Sequence, residues 1–391
     1  MAEEGRKRVA IIGSGNWGSV IARIVGQNVK EHNDVFFEGV EMYTYEELVD
    51  GVKLTEIINT KHMNVKYLPD FLIPENIHAN PDVVECVKDA DILVFVVPHQ
   101  FVRRVCEMMK NFLKPNVIAI SLIKFGIPCK FMKIDANSAQ ITTWKQHRRD
   151  SINRMAVLKR QRSLRGLDHT KTGLTLVSNV IKEALDLPEV SVLMGANLAK
   201  EVARELFGEA TIGCRVKEDG PLLKQLFHTH YFKINVVEDA DTVELCGALK
   251  NAVAIGAGIV DALGMGDNTK AAIIRIGLKE MIDFANRFYE GVQIETFYES
   301  CGVADLITTC YAGRNRLAGE EFIKSKKSFD QVEQEILGGQ KLQGPHTAYE
   351  VYQVLKENNL TEDYPLFTSI YNVCFEGHTP TEMMEMLKCH F

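Results

Sequence analysis

The chain has no Cys-x-x-Cys pair and no Cys/His cluster at zinc-binding intervals, so its nine cysteines do not describe a structural metal site. They are odd in number and scattered, which argues against a disulfide framework and for free thiols in a reducing compartment. Long apolar runs are missing as well. No uninterrupted stretch is long enough to cross a bilayer, and the charged start, Met1 to Arg8, does not fit a signal peptide. Nor is there an excess of positive charge: a formal net charge of −7 gives no reason to expect nucleic acid or a membrane surface as partner. A G-x-S-x-G elbow, a P-loop and an H-E-x-x-H helix are all absent, as is any His pair at metal spacing. His228 and His230 lie two apart without nearby partner ligands and read as structural. With 391 residues of ordinary globular composition, the expectation is a cytoplasmic, metal-free protein of about two domains.

What is present begins at once. Val9–Ala10–Ile11–Ile12 runs into Gly13–Ser14–Gly15–Asn16–Trp17–Gly18, and an apolar-periodic stretch, Val20 to Val25, follows. This is a strand, a tight turn and a helix carrying G-x-G-x-x-G. Gly13 permits the turn, Gly15 lets a pyrophosphate approach the backbone, and Gly18 lets the helix pack closely on the strand. The unpaired N–H groups and the positive dipole end of the helix then face the phosphates.

The first half of the chain alternates strands with helices. Val40–Tyr45, Asp91–Val97, Val117–Ile123, Ser191–Met194, Ala210–Cys214 and Lys233–Val237 read as strands, and Val102 to Phe112 as a helix. The continuous apolar runs DILVFVV and VIAISLI are typical of strands buried on both faces. Such alternation predicts an α/β domain, a doubly wound, mostly parallel Rossmann-type sheet, over 1–236. From about Asp239 the strand signals stop, which predicts an all-α C-terminal domain over 237–391. Residues 125–165 break the rhythm: they hold ten Lys and Arg against two Asp and no Glu, with little periodicity. This segment reads as a disordered or irregular insertion, with a basic binding arm as the alternative.

Four places could carry chemistry. Tyr43–Thr44–Tyr45–Glu46–Glu47 closes the second strand without a Lys or Arg, and a carboxylate there suits the ribose 2′-OH of NAD and repels the 2′-phosphate of NADP. Tyr45 and Phe101 lie just past strand ends, where an aromatic ring serves either the core or a flat cofactor ring. Lys250 is the only charge between Glu244 and Asp261 on an apolar helix. Such a lysine either snorkels to the surface or, held inside with a lowered pKa, donates a proton near neutral pH. Gly313 then delivers Arg314 and Asn315 to a helix start, which is a phosphate site or a plain surface loop. A second glycine-rich stretch, Gly338 to Pro345, either closes over a ligand or links helices.

Assembled in order, GSGNWG (13–18), KLTEIINT (53–60), NVKYLP (64–69), VVPHQF (96–101), SLIK (121–124), VLMGAN (192–197), CGALKN (246–251), GDNTKAA (266–272), SCGVADLITTCY (300–311), GRNR (313–316) and GQKLQGP (339–345) closely resemble the NAD-dependent glycerol-3-phosphate dehydrogenases of the eukaryotic cytosolic type. The resemblance implies reversible oxidation of sn-glycerol 3-phosphate to dihydroxyacetone phosphate with NAD as cofactor, in a cytoplasmic homodimer. It implies NAD contacts at Gly13, Ser14, Gly15, Asn16, Trp17, Gly18, Tyr45 (where the family usually has Phe), Phe101 and Ala199. It makes Lys250 the catalytic lysine, with Asn251, Asp305 and Thr309 lining the same site. Lys124 matches a substrate-contact lysine, Arg314 and Asn315 the phosphate anchor, and Arg314, Lys341 and Gln343 positions near the cofactor. In the family pattern SLIK runs directly into a segment that resumes here at Gly166–Leu167–Asp168, so residues 125–165 are extra. They follow Lys124 directly, and an NAD-binding protein impaired in catalysis is the alternative they raise. A dehydrogenase of similar architecture acting on another hydroxy acid is a third reading.

Overall fold

The computed structural model describes residues 5–124, 126–128 and 173–390. The first strand, β1 (Lys7–Ile12), leads into α1 (Asn16–Glu31), and β2 (Phe36–Tyr43) returns beside β1. Next come β3 (Ile77–Asn80), β4 (Ile92–Phe95), α2 (Val102–Met109) and β5 (Ile118–Ser121). Gly126–Pro128 (β6) and Leu174–Leu176 (β7) form a small antiparallel pair, which is followed by α3 (Val177–Leu185). The first half closes with β8 (Ser191–Met194), β9 (Gly208–Gly213) and β10 (Phe232–Val237). The main sheet has eight strands in the order β10-β9-β8-β5-β4-β1-β2-β3. All its neighbours run parallel except β8 and β9.

The central strands β1, β4, β5 and β8 are buried on both faces along their apolar runs. Val9 and Ile11 of β1 pack toward α1 with Val20, Ile21 and Ile24, whereas Ala10 and Ile12 pack on the other face with Val102, Val105 and Ile181. The period-2 alternation of a strand thus feeds two cores. The sequence reading differs from the structure in three places. The second strand starts at Phe36, four residues early, and ends at Tyr43, which leaves Thr44 and Tyr45 beyond it. The edge strand β3, only IHAN, is too short to show a pattern and was not expected. Of the expected insertion 125–165, Gly126–Pro128 is a regular strand, since the backbone finds partners in β7. The rest of that expectation, and the resumption at Gly166, lie outside the described residues.

After β10 every described element is helical. Asp239 caps α4 (Ala240–Ala262) by accepting from Thr242 N at 3.1 Å. This helix is buried on all sides from Thr242 to Val260 and is the axis of the C-terminal half. By length and hydropathy it could cross a membrane, yet its apolar window is wholly enclosed within the protein. Around it lie α5 (Asp267–Phe288), α6 (Asp305–Ala312), α7 (Arg314–Ser325), α8 (Phe329–Glu335), α9 (Gly344–Glu357) and α10 (Pro365–Tyr371). The crossing of α4 and α7 is unusually close. A Cβ on Gly258 would lie 2.0 Å from the Arg316 carbonyl oxygen, and one on Gly319 would lie 2.4 Å from that of Ile255. These two glycines let the helix backbones touch.

Candidate active site

The glycine turn after β1 is shaped as its spacing predicts. Gly13 has φ +120°, and a Cβ there would sit 3.0 Å from the Val96 and Val97 backbone. A Cβ on Gly18 would lie 2.3 Å from the Gly13 carbonyl oxygen, so this glycine packs the helix against the turn itself rather than against the strand. Around Gly15 a Cβ would meet nothing within 4 Å, so a ligand can reach the backbone there. Asn16 opens α1, and no side chain caps that end. Asn64 holds the turn in place, donating to the Ser14 carbonyl at 2.7 Å and to Ser19 Oγ at 2.9 Å. Trp17 turns its ring inward, edge-on to Phe232 at 6.2 Å between centroids, so only its backbone is directed to the turn. A cradle that rejects side chains at Gly13 and Gly18 but stays open at Gly15 fits the pyrophosphate of a dinucleotide.

Tyr45 is 74% exposed and Phe101 48% exposed, which excludes the core reading of both rings. The carboxylate expected for the ribose is otherwise engaged. Glu46 takes the Thr55 hydroxyl at 2.7 Å and its N–H at 3.3 Å, while Glu47 takes the Tyr67 hydroxyl at 2.7 Å and pairs with Lys66. Both glutamates brace the loops beyond β2. Ala199 is half-buried at the start of the short helix Ala199–Ala203, beyond β8. Thus the glycine turn, Tyr45, Phe101, Lys124 and Ala199 all follow carboxyl ends of parallel strands, where open α/β sheets bind ligands.

Lys250 does not snorkel. It lies in the middle of α4 and is 4% exposed; its ammonium pairs with Asp305 Oδ1 and donates to Thr309 Oγ1 at 2.7 Å. Burial pulls its pKa from the ordinary lysine range down to about 8; Asp305 resists that fall and the nearby Lys124 ammonium adds to it. Lys124 reaches the same aspartate from the sheet side, with Nζ 3.0 Å from Asp305 Oδ2, 2.8 Å from the Gly195 carbonyl and 2.9 Å from Asn197 Oδ1. Gly247 lets α4 pack closely on β8 beside this lysine, since a Cβ there would lie 2.7 Å from Met194 Sδ and in ordinary contact, 3.5 Å, with Lys124 Cγ. Asp305 and Thr309 occupy successive turns of α6, the i,i+4 spacing that puts both on one face. Just before them Ser300 donates to the Glu209 carbonyl at 2.8 Å and accepts from Ala196 N at 3.2 Å, which ties the aspartate's segment to the loop holding Lys124.

The remaining candidates form the far wall. Asn251 Oδ1 accepts from Asn315 Nδ2 at 2.9 Å, and Asn315 Oδ1 accepts from Gly344 N at 2.9 Å, so three helices are joined through two amides. Arg314 opens α7 and donates to Gln340 Oε1 at 3.0 Å. Gln343 immediately precedes α9. Lys341 is turned to Glu333, at 2.6 Å, with its side chain 70% exposed. Lys250, Asp305, Thr309 and Lys124 therefore form one contact cluster, and Asn251, Asn315 and Arg314 extend it through α7. Lys341 and Gln343 lie on the adjoining loop. Sequence reasoning gave no role to Asn64, Asn197, Ser300 or Gln340, because their use depends on partners 26 or more residues away.

A doubly wound sheet with a dinucleotide turn, facing a helical half whose buried lysine meets an aspartate, defines a nicotinamide-dependent dehydrogenase. Comparison with known proteins agrees. Residues 239–385 match the family model described as NAD-dependent glycerol-3-phosphate dehydrogenase C-terminus, and residues 8–134 and 125–219 match its N-terminal counterpart. The chain is 50% identical to human cytoplasmic glycerol-3-phosphate dehydrogenase [NAD(+)] over 385 residues, covering 98% of each. It is 49% identical to the glycerol-3-phosphate dehydrogenase 1-like protein of Xenopus tropicalis, covering 100% of this chain and 99% of that one. Among solved structures, glycerol-3-phosphate dehydrogenase from Saccharomyces cerevisiae superposes with a TM-score of 0.82 at 38% identity, over 97% of this chain and 99% of that one. The chain belongs to the NAD-dependent glycerol-3-phosphate dehydrogenase family.

Proposed function

We propose that this protein interconverts sn-glycerol 3-phosphate and dihydroxyacetone phosphate, with Lys250 moving the proton at the C2 oxygen. Bound NAD or NADH would supply the hydride acceptor or donor for C2. The Gly13–Gly18 turn would hold its pyrophosphate, with Tyr45, Phe101 and Ala199 as further contacts and Lys341 and Gln343 on the loop beside it. The observation that carries this reading is the Lys250–Asp305–Thr309 contact inside an otherwise apolar helix packing.

In ketone reduction the Lys250 ammonium donates to the carbonyl oxygen and stabilises its developing charge; in alcohol oxidation the neutral amine takes the hydroxyl proton. A pKa of about 8 keeps both forms populated near neutral pH. Asp305 holds the ammonium between turnovers and Thr309 orients it, while Asn251 lines the site and braces Asn315. Lys124, poised over the same carboxylate, contacts the substrate's polar end. Arg314 and Asn315 bind the phosphate, and fixing that remote group sets C2 against the lysine and lowers the entropic barrier. Residues 1–236 act as the NAD-binding domain and 237–391 as the substrate domain, in a cytoplasmic homodimer.

NADH absorbance tests this directly. The expected result is oxidation of NADH that depends on dihydroxyacetone phosphate, with the reverse reaction from sn-glycerol 3-phosphate and NAD. No turnover, or a preference for an unphosphorylated hydroxy acid, overturns it.

A further inference from the structure

The chemistry above leaves a second buried lysine unused. Lys270, in the first turns of α5, has a side chain only 7% exposed. Its ammonium donates to Asp261 Oδ2 at 2.8 Å and lies 4.4 Å from the centre of the Tyr311 ring. The same Asp261 oxygen accepts from Arg316 Nε at 2.5 Å, and Arg316 Nη2 continues to Glu320 at 2.8 Å. The cluster therefore grips both arms of one elbow. Tyr311 closes α6, the helix of Asp305 and Thr309, and Arg316 stands two residues after Arg314 at the start of α7.

The backbone explains why a grip is needed there. Gly258 of α4 lies directly under the Arg316 carbonyl, so the first turn of α7 rests backbone to backbone on α4, with no α4 side chain at that point to hold it. Farther along, Gly319 meets Ile255 and Ala318 is buried in the core, whereas at the first turn of α7 the holding contacts come from charged side chains. Asp261, one turn beyond Gly258, catches the guanidinium of Arg316, and Lys270 bonds the same Asp261 oxygen. A buried cation with a single carboxylate and an aromatic face is a costly arrangement, and helix packing alone does not require it.

We infer that Lys270 and Asp261 are positioning residues for the phosphate anchor: through Arg316 they set the angle at which α7 presents Arg314 and Asn315. The inference rests on the reading of those two residues as the phosphate site. It separates cleanly from a through-space charge effect. Asp261→Asn removes a negative charge near the phosphate, so charge alone lowers KM for dihydroxyacetone phosphate, whereas a lost clamp raises it.

The experiment compares kcat and KM for dihydroxyacetone phosphate and for unphosphorylated dihydroxyacetone in wild type, Asp261→Asn, Lys270→Met, Lys270→Arg and Arg314→Ala. NADH binding and melting temperature serve as checks on folding. Asp261→Asn and Lys270→Met are each expected to raise KM for the phosphorylated ketone about tenfold or more, as displaced binding groups do. Their kcat/KM for dihydroxyacetone stays as in wild type, and Lys270→Arg recovers most of the loss. If Asp261→Asn does not fold, Asp261→Glu carries the comparison: it keeps the charge and displaces the carboxylate, so a raised KM supports the clamp and an unchanged KM overturns it. A KM that is unchanged or lowered, or equal damage to both substrates, overturns the clamp. Failure of Arg314→Ala to lose phosphate discrimination removes the anchor reading instead.

Discussion

Replacing Asp305 with Asn keeps the side chain's shape and deletes the charge that lies between two ammonium groups. Asp305 Oδ2 meets Lys124 Nζ at 3.0 Å, and Oδ1 meets Lys250. Burial and Lys124 together pull Lys250 down to about 8, with Asp305 the principal influence opposing them. Losing an opposite charge at contact distance moves a neighbour's pKa by roughly 1–3 units, here downward. At pH 7.5 the ammonium share of Lys250 then falls from about three-quarters to roughly a quarter or less. Ketone reduction uses the ammonium form, so its rate declines as pH rises through the Lys250 pKa; in Asp305→Asn that decline begins about 1–3 units lower. The assay is kcat for NADH oxidation by saturating dihydroxyacetone phosphate, measured from pH 5.5 to 10, with NADH binding as proof of folding. A midpoint that stays in place or moves upward refutes the electrostatic assignment of this pair.

Further outcomes follow from the same geometry. Arg314→Ala is expected to cost about 30-fold or more in kcat/KM for the phosphorylated ketone, as loss of a charged hydrogen-bonding partner does, and to spare dihydroxyacetone. Gly15→Ala meets no protein atom, so it leaves the melting temperature unchanged while weakening NADH binding; Gly18→Ala strikes the Gly13 carbonyl and lowers stability by about 1–3 kcal/mol. Equal behaviour of the two would contradict the open and closed faces assigned to the turn. Glu280 is 2% exposed and accepts from Leu366 N at 2.7 Å and Phe367 N at 2.9 Å at the start of α10, and burial raises its pKa to about 8. A raised carboxyl pKa stabilises the fold below its unfolded value and loses that contribution as pH climbs through 8. The stability deficit of Glu280→Gln in urea is therefore expected to shrink by about 2–4 kcal/mol between pH 5 and pH 9, and a constant deficit refutes the assignment.

Much of this architecture is legible in the sequence. Gly13, Gly15 and Gly18 declare themselves because backbone geometry admits few other residues, and buried parallel strands announce themselves as unbroken apolar runs. Lys250 was visible because a lone charge on a wholly apolar helix is expensive. What stayed hidden was relational. Nothing local marks Asp305 as the carboxylate shared by Lys124 and Lys250, since the three come from the sheet, α4 and α6. Glu46 and Glu47 misled for the same reason: their sequence position suits a ribose, but Thr55, Lys66 and Tyr67 claim them first. The strand Ile77–Asn80 exists because β2 offers it an edge, not because IHAN prefers to be extended.

The central claim is that the buried Lys250 ammonium performs the proton transfer, and Lys250→Met tests it most directly. Methionine fills the apolar helix surroundings and removes the proton. The expected result is a fall in kcat with dihydroxyacetone phosphate of at least about 10²–10⁴-fold, with the NADH dissociation constant and melting temperature preserved. A variant that binds NADH and still turns over within tenfold of wild type would contradict the account.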